Sequence, residues 1–405
     1  MARLLRWAQG AFTRAPVARL QFPAGGFEVV PSGCILEAEG YGAFKAGHYC
    51  PINIGDVYSS YQVLGKLGYG STSTVWLARN LRYGGYHALK IFARDHDGAC
   101  QRELRTCKAI EEANRSHPGH RHVRRAVETF LIERDGGKEH ECLVQAPLWD
   151  SWRDLMDRNA SGRFSVELLK GGLQHILLAL DYLHTEADNV LHAIIDDGIF
   201  ESFVKEEMET PSPRKYVDGA PVYMSIRFGL PNDWGVIVLS DFGEVVDGDV
   251  KRNHYAQPSM YRSPEVILQV AWSYPADIWN VGAMIWDVFE GGHLFHGIDP
   301  SPEKGYYATR AHLAEIIALL GAPPLDLLQK GIRSKEFFSE DGKWIADCPI
   351  PEGKSLEKAE VVLSGRNKEM FLDFVRGMLT WRPEDRKTAK EFLGHPWLTT
   401  WEIPD

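Results

Sequence analysis

Two strand-patterned runs meeting at a glycine-rich turn constrain this chain more than any other feature. Tyr61-Gln62-Val63-Leu64-Gly65-Lys66-Leu67 leads into Gly68-Tyr69-Gly70, and Thr74-Val75-Trp76-Leu77-Ala78 leads out. Runs of this kind joined by glycines read as antiparallel strands of one hairpin. A third strand, Tyr86 to Phe92, carries Lys90, and period-two alternation puts Ala88 on the same face. Leu104, Cys107, Ala109 and Ile110 recur at helical spacing between Cys100 and Ala113. Phe130-Leu131-Ile132 and Cys142-Leu143-Val144 read as two further short strands, so a small sheet plus one helix accounts for residues 61–145.

Helical periodicity dominates after that point. Val166 to His184 places Leu168, Leu169, Leu173, Ile176, Leu177, Leu180 and Leu183 as a long buried helix would. Ala276 to Glu290 is apolar all round, which predicts a helix at the centre of a core. Helices are also expected over Ala308–Leu320, Asn367–Leu379 and Ala389–Leu393, the last opened by Thr388 with Glu391 three residues on, a capping box. Residues 205–221 are polar and carry Pro211 and Pro213, which reads as a surface insertion. The chain then divides into a basic arm (1–27), an extension (28–57), a sheet lobe (58–145) and a helical lobe (146–400) with an insertion around 196–235.

Composition excludes more than it selects. The 405 residues carry 45 basic and 55 acidic side chains, a net charge of −10, so direct binding along a nucleic-acid backbone is not expected. Six cysteines lie scattered without C-x-x-C spacing, which argues against a zinc site and against a disulfide framework, and for a reducing compartment. No apolar run reaches the length of a membrane span. Residues 1–27 hold Arg3, Arg6, Arg14 and Arg19 and no acid. That bias suits either a mitochondrial presequence or a basic arm on a cytosolic or nuclear protein.

Three motifs carry chemistry. In Gly68-Tyr69-Gly70-Ser71-Thr72-Ser73-Thr74-Val75 the glycines let backbone N–H groups approach phosphates closely, with Ser73 where a third glycine would complete the pattern. Lys90 lies inside an apolar strand and needs an acid to hold it; Glu103 on the following helix is the first candidate, with Glu111 and Glu112 as alternatives. Val236-Ile237-Val238-Leu239 reads as a buried strand leading to Asp241-Phe242-Gly243, where a carboxylate on a tight loop is placed to hold a metal ion.

These parts, with Tyr261-Arg262-Ser263-Pro264-Glu265, Asp277-Ile278-Trp279 and Arg386, occur in the order that a eukaryotic protein kinase uses them. The run from Tyr61 to Ala78, Leu183-His184-Thr185-Glu186, Pro211-Ser212-Pro213-Arg214-Lys215, Asp241-Phe242-Gly243-Glu244 and the segment from Asp277 to Gly291 resemble more closely the fungal branch of SR-protein-kinase-like serine/threonine kinases. The resemblance covers about residues 27–400. It implies an α+β, two-lobed protein kinase fold with a small antiparallel β-sheet lobe and a larger helical lobe. It also implies ATP and Mg²⁺ as ligands, and a protein substrate of the Arg/Ser-rich kind. Gly68, Gly70, Ser73 and Val75 would cover the nucleotide, and Val75 and Ala88 would clasp its adenine. Lys90 would bind phosphates while paired to Glu103, and Asp241 would ligate Mg²⁺. Glu265 and Arg386 would form a buried ion pair, and Asp277 would cap the central helix and brace the catalytic loop.

One part departs from the family pattern. Kinases carry H-R-D-L-x-x-x-N before Asp-Phe-Gly, in which Asp takes the hydroxyl proton and Asn holds metal. Here the chain runs Asn189-Val190-Leu191-His192-Ala193-Ile194-Ile195-Asp196-Asp197-Gly198. His192 resembles the start of that loop, and Asp196 and Asp197 resemble residues that follow it. The base, the Lys and the Asn between them, and the strand after them, are missing. Asp196 with Glu201 five positions on is a candidate substitute. Three outcomes are open: an active kinase with a rearranged loop, a pseudokinase that binds without transferring, or a sequence lacking a coding stretch after His192 or Ala193.

Overall fold

The computed structural model describes residues 16–41, 48–94, 98–134, 138–184, 191–194, 198–231, 234–246, 248–300 and 305–401. In chain order, β1 (Val57–Tyr58), β2 (Tyr61–Tyr69), β3 (Ser73–Asn80) and β4 (Tyr86–Phe92) precede α1 (Ala99–Glu112), and β5 (Ala126–Arg134) and β6 (Lys138–Gln145) follow it. Next come α2 (Trp152–Arg158) and α3 (Val166–His184), then β7 (Leu191–Ile194), α4 (Gly198–Glu209), β8 (Arg214–Val217), β9 (Ala220–Tyr223) and β10 (Trp234–Val238). The remainder holds α5 (Pro264–Leu268), α6 (Pro275–Phe289), α7 (Thr309–Leu320), α8 (Leu325–Lys330), α9 (Leu356–Ala359), α10 (Gly365–Met378), α11 (Ala389–Leu393) and α12 (Pro396–Thr399). Two units result, one built from all ten strands with α1 and α4, the other from the remaining helices. The class is α+β, as the motif order implies.

The sheet unit is organised by a six-stranded antiparallel sheet in the order β1-β2-β3-β4-β6-β5. Its faces differ because alternate residues point opposite ways. Tyr61, Val63, Trp76, Ala78, Leu89, Ile91, Cys142 and Val144 form a buried cluster on one face, joined by Cys50 and Ile52 of the extension and by Tyr223. The other face carries Leu77, Ala88, Lys90, Leu143 and Gln145, which follow from the pairings Leu77 with Ala88, Lys90 with Leu143 and Ala88 with Gln145. β5 and β6 are longer than their apolar centres suggest, because Glu128, Thr129 and Glu133 continue the ladder as polar residues of a half-exposed edge pair.

Buried charges tie the extension to this unit. Lys66 of β2 is 3 % exposed, pairs with Glu37, and donates to the Tyr223 carbonyl at 3.0 Å. Lys215 of β8 is also buried and pairs with Glu39 at 2.7 Å. Burial pushes the Lys66 ammonium below its ordinary pKa, with Glu37 opposing the shift.

The insertion expected in the helical lobe packs instead within the sheet unit. Ile199, Phe200, Phe203 and Val204 of α4 are buried, and Phe203 sits where a Cβ on Gly65 would approach its ring to 2.5 Å. Glu207, Ser212, Arg214 and Lys215 are buried rather than on a solvated surface. Their polarity is satisfied internally: Glu207 accepts from Ser212 N at 3.0 Å and from the Ser212 hydroxyl, and Arg214 donates to the Tyr223 hydroxyl at 3.0 Å.

In the helical unit, α6 is buried along most of its length, with Trp279 stacked on Phe295 at 5.7 Å between ring centroids. Phe371, Phe374, Phe392 and Trp397 form an aromatic group around α10. Thr388 accepts from Glu391 N and Glu391 accepts from Thr388 N, so the capping box forms as its spacing predicts. Gly119 touches α3 so closely that a Cβ would stand 2.0 Å from the Leu178 carbonyl oxygen.

Candidate functional site

β4, α1 and the loop after β10 bring three charged side chains together in the sheet unit. Lys90 Nζ lies 2.7 Å from Glu103 Oε2 and 2.9 Å from Asp241 Oδ1. Among the three acids considered for Lys90, the structure brings Glu103 to it. Glu103 is buried, and burial raises its carboxyl pKa against the lowering effect of Lys90. Asp241 has 75 % of its side chain exposed. The trio is therefore anchored at one end and open at the other.

Backbone geometry fixes the open end. Asp241 has φ 74° and ψ 73°, a left-handed conformation uncommon in a non-glycine residue, and Phe242 beside it is fully buried. Such strain persists where the surroundings over-determine it, and it clusters at functional sites. Arg124 supplies part of that constraint: its backbone N–H donates to Leu239 O at 2.7 Å, and its guanidinium to Ser240 Oγ at 3.2 Å and Ala146 O at 3.0 Å. Desolvation lowers the Arg124 pKa to about 10, with Glu103 opposing. Arg124 belongs to none of the sequence motifs, and its place in the Arg124-Arg125 pair reads as an ordinary surface cation.

The glycine-rich turn lies between β2 and β3, where Gly68 pairs with Val75 and Tyr69 with Thr74. A Cβ on Gly68 would meet nothing within 4 Å, and one on Gly70 only Ser73 O at 3.9 Å, so the turn offers open backbone. Ser73 is buried at the start of β3. Val75 stands directly across the ladder from Lys90, and Ala88 shares Lys90's face two residues earlier. Tyr49 of the extension, likewise outside the motifs, donates its hydroxyl to Gly70 O and Ser71 O, each at 2.9 Å, and ties the turn down.

The residues fit a nucleotide·Mg²⁺ ligand. Mg²⁺ is held through one or two carboxylates plus substrate phosphates and water, and Asp241 supplies an exposed carboxylate beside an ammonium. Among the described residues no group of three or more His, Cys, Asp or Glu converges as a metal site. Asp241 would therefore depend on phosphate oxygens to complete a shell.

The region before Asp241 differs from expectation. His192, expected at the start of a catalytic loop, lies within β7, whose backbone pairs antiparallel with β10 so that His192 stands opposite Ile237 and Leu191 opposite Val238. This strand begins before His192 and is therefore not the one expected to be missing after it. Asp196 and Asp197 lie outside the described residues, and Glu201 is in the first turn of α4.

In the helical unit, Arg386 makes a two-pronged pair with Glu265, Nη1 to Oε1 and Nη2 to Oε2, both at 2.6 Å, and both side chains are 0 % exposed. Asp277, third in α6, lies 3.1 Å from His184 Nε2; residues 195–197 after His192, part of the loop it would brace, are outside the described set. All six cysteines are free. Among the described residues no helix is long and apolar enough to cross a membrane.

Comparison with known proteins agrees with this geometry. The protein kinase domain family matches residues 230–398. A serine/threonine protein kinase of Aspergillus fumigatus is 43 % identical over 376 residues, covering 92 % of this chain and 93 % of the relative. The serine/threonine-protein kinase SRPK of Physarum polycephalum is 29 % identical over 91 % of this chain and 93 % of its own length. Protein kinase dsk1 of Schizosaccharomyces pombe is 24 % identical over 88 % and 84 %. Sheet, charged trio and relatives define a protein kinase. Within that superfamily the chain belongs to the SR-protein-kinase-like serine/threonine branch.

Proposed function

We propose that this chain binds ATP·Mg²⁺ on the Lys90 face of its sheet and transfers the γ-phosphoryl group slowly or not at all. The observation that carries the reading is the formed Lys90–Glu103–Asp241 trio in a sequence without D-x-K-x-x-N before Asp241. Gly68, Gly70 and Ser73 would lie over the phosphates, Val75 and Ala88 against the base, and Lys90 on the α/β-phosphates. Mg²⁺ at Asp241 would neutralise charge on the phosphoryl group. Phosphoryl transfer rests on positioning and charge stabilisation. A chain lacking the Asp that orients the acceptor hydroxyl and the Asn that holds a second metal loses part of both.

The purified protein is expected to gain thermal stability with ATP·Mg²⁺, to lose that gain in Lys90→Ala and Asp241→Ala, and to leave an Arg–Ser peptide unlabelled by radioactive ATP. Labelling at an ordinary kinase's turnover would overturn the reading. Family membership supports a second reading, an active enzyme whose transcript across codons 185–200 is longer and encodes the Asp and Asn. Sequencing that transcript decides it. In either reading the protein partner would be an Arg/Ser-rich segment, whose positive charge suits a chain of net charge −10. The compartment that follows is cytoplasm or nucleus; import of a fusion to residues 1–27 into mitochondria would replace it.

A further inference from the structure

The Tyr49 hydroxyl shares its one proton between Gly70 O and Ser71 O, each 2.9 Å away, although water could serve both carbonyls at a turn whose Ser71 is exposed. The other carbonyls of the turn are taken as well: Gly70 N donates to Ser73 O and Ala93 N to Thr72 O, both at 2.8 Å. The N–H groups of Ser71 and Thr72 donate to nothing among the described residues. Every carbonyl from Gly70 to Ser73 is therefore engaged, while two successive amides are left over. The peptide bonds are trans, so the Ser71 N–H points opposite to Gly70 O and the Thr72 N–H opposite to Ser71 O. By holding two carbonyls on one side, Tyr49 holds two amides on the other. The extension sets which side that is, because Cys50, next to Tyr49, packs in the cluster on the face opposite Lys90.

We propose that Tyr49 is a positioning residue for nucleotide phosphates. Its hydroxyl, approaching from behind the sheet, turns the Ser71 and Thr72 amides toward the Lys90 side, where both N–H groups donate to phosphate oxygens. This deepens the nucleotide-binding reading above and rests on it. Two successive backbone N–H groups presented on one side are donors for an anion. Without an anchor the peptide planes of this turn would rotate easily, because Gly70 lacks a Cβ and a Cβ there would meet only Ser73 O at 3.9 Å. The extension thus acts on the phosphates without touching them. The base, which lies against Val75 and Ala88 in that reading, is independent of Tyr49.

The test measures ATP·Mg²⁺ and adenosine binding by calorimetry on the full chain and on Tyr49→Phe, which keeps the ring and removes only the hydroxyl. The variant is expected to bind ATP·Mg²⁺ about three- to tenfold more weakly and adenosine as well as the wild type does. An equal loss for both ligands would make Tyr49 a general support of the fold, and undiminished ATP·Mg²⁺ binding would leave it without a role; either overturns the inference. In the wild type, hydrogen exchange at the Ser71 and Thr72 amides is expected to slow with ATP·Mg²⁺ and not with adenosine. Unchanged exchange under saturating ATP·Mg²⁺ overturns the inference without needing any variant. Absence of ATP·Mg²⁺ binding by the wild type is a distinct result, which overturns the nucleotide reading and this inference together.

Discussion

Two acid–base pairings, one in each unit, use similar groups to opposite ends. Glu265 and Arg386 close on each other through two parallel hydrogen bonds of 2.6 Å, with both side chains 0 % exposed. Lys90 and Glu103 also meet at 2.7 Å, but the ammonium is shared with Asp241, whose side chain is 75 % exposed. The planar guanidinium of Arg386 grips both oxygens of Glu265 and donates also to the Thr380 and Pro275 carbonyls, which defines a geometry. An ammonium on a flexible stem is a point charge that can change partners. The closed pair is architecture, and the open one leaves its second carboxylate largely in solvent.

That contrast can be broken by experiment. Arg386→Ala should cost the largest amount, about 3–5 kcal/mol in chemical denaturation, because it leaves Glu265 buried and unpaired. A loss below about 1 kcal/mol would show that water reaches the pair. Lys90→Met should cost about 1–3 kcal/mol, less than Arg386→Ala, because Glu103 already has a raised pKa and can take up a proton once its cation is gone. Denaturation at lower pH should narrow that deficit.

His312 sharpens the comparison from the helical side. It is fully buried, and desolvation lowers its pKa to about 3. The unfolded chain takes a proton near pH 6.5 that the folded chain refuses, so this contribution to stability is present above about pH 6.5 and lost as pH falls toward 3. The expected slope is about 1.4 kcal/mol per pH unit. His312→Gln should flatten the acid limb of a stability–pH curve, and an unchanged limb would mean that the imidazole titrates in the folded state. Asp241→Asn should have the smallest effect on stability, within about 1 kcal/mol for so exposed a carboxylate. The same variant should abolish the Mg²⁺-dependent part of any nucleotide-induced thermal shift.

The sheet was legible because a glycine-rich turn separates apolar runs: Tyr61 to Ala78 and Tyr86 to Phe92 become β2, β3 and β4 with Lys90 across from Val75. The helices were legible from Leu169, Leu173, Ile176 and Leu180 in α3 and from the Thr388–Glu391 box of α11. What escaped was polar residues buried in company. Glu207, Arg214 and Lys215 read as solvated charges until their partners, some from distant parts of the chain, are known. α4 had a signal in Ile199, Phe200, Phe203 and Val204 at helical spacing, hidden by the charged run after it. His192 lies in β7 opposite Ile237, and residues 195–197, where the loop would continue, are outside the described set.

The extension's grip on Lys66 and Lys215 bears on how this protein can be cut and remain whole. A fragment trimmed to the first strand would strand two ammonium groups in a dry interior, with Glu37 and Glu39 left behind on the discarded piece. The smallest autonomous piece of the sheet unit therefore begins upstream of the sheet itself.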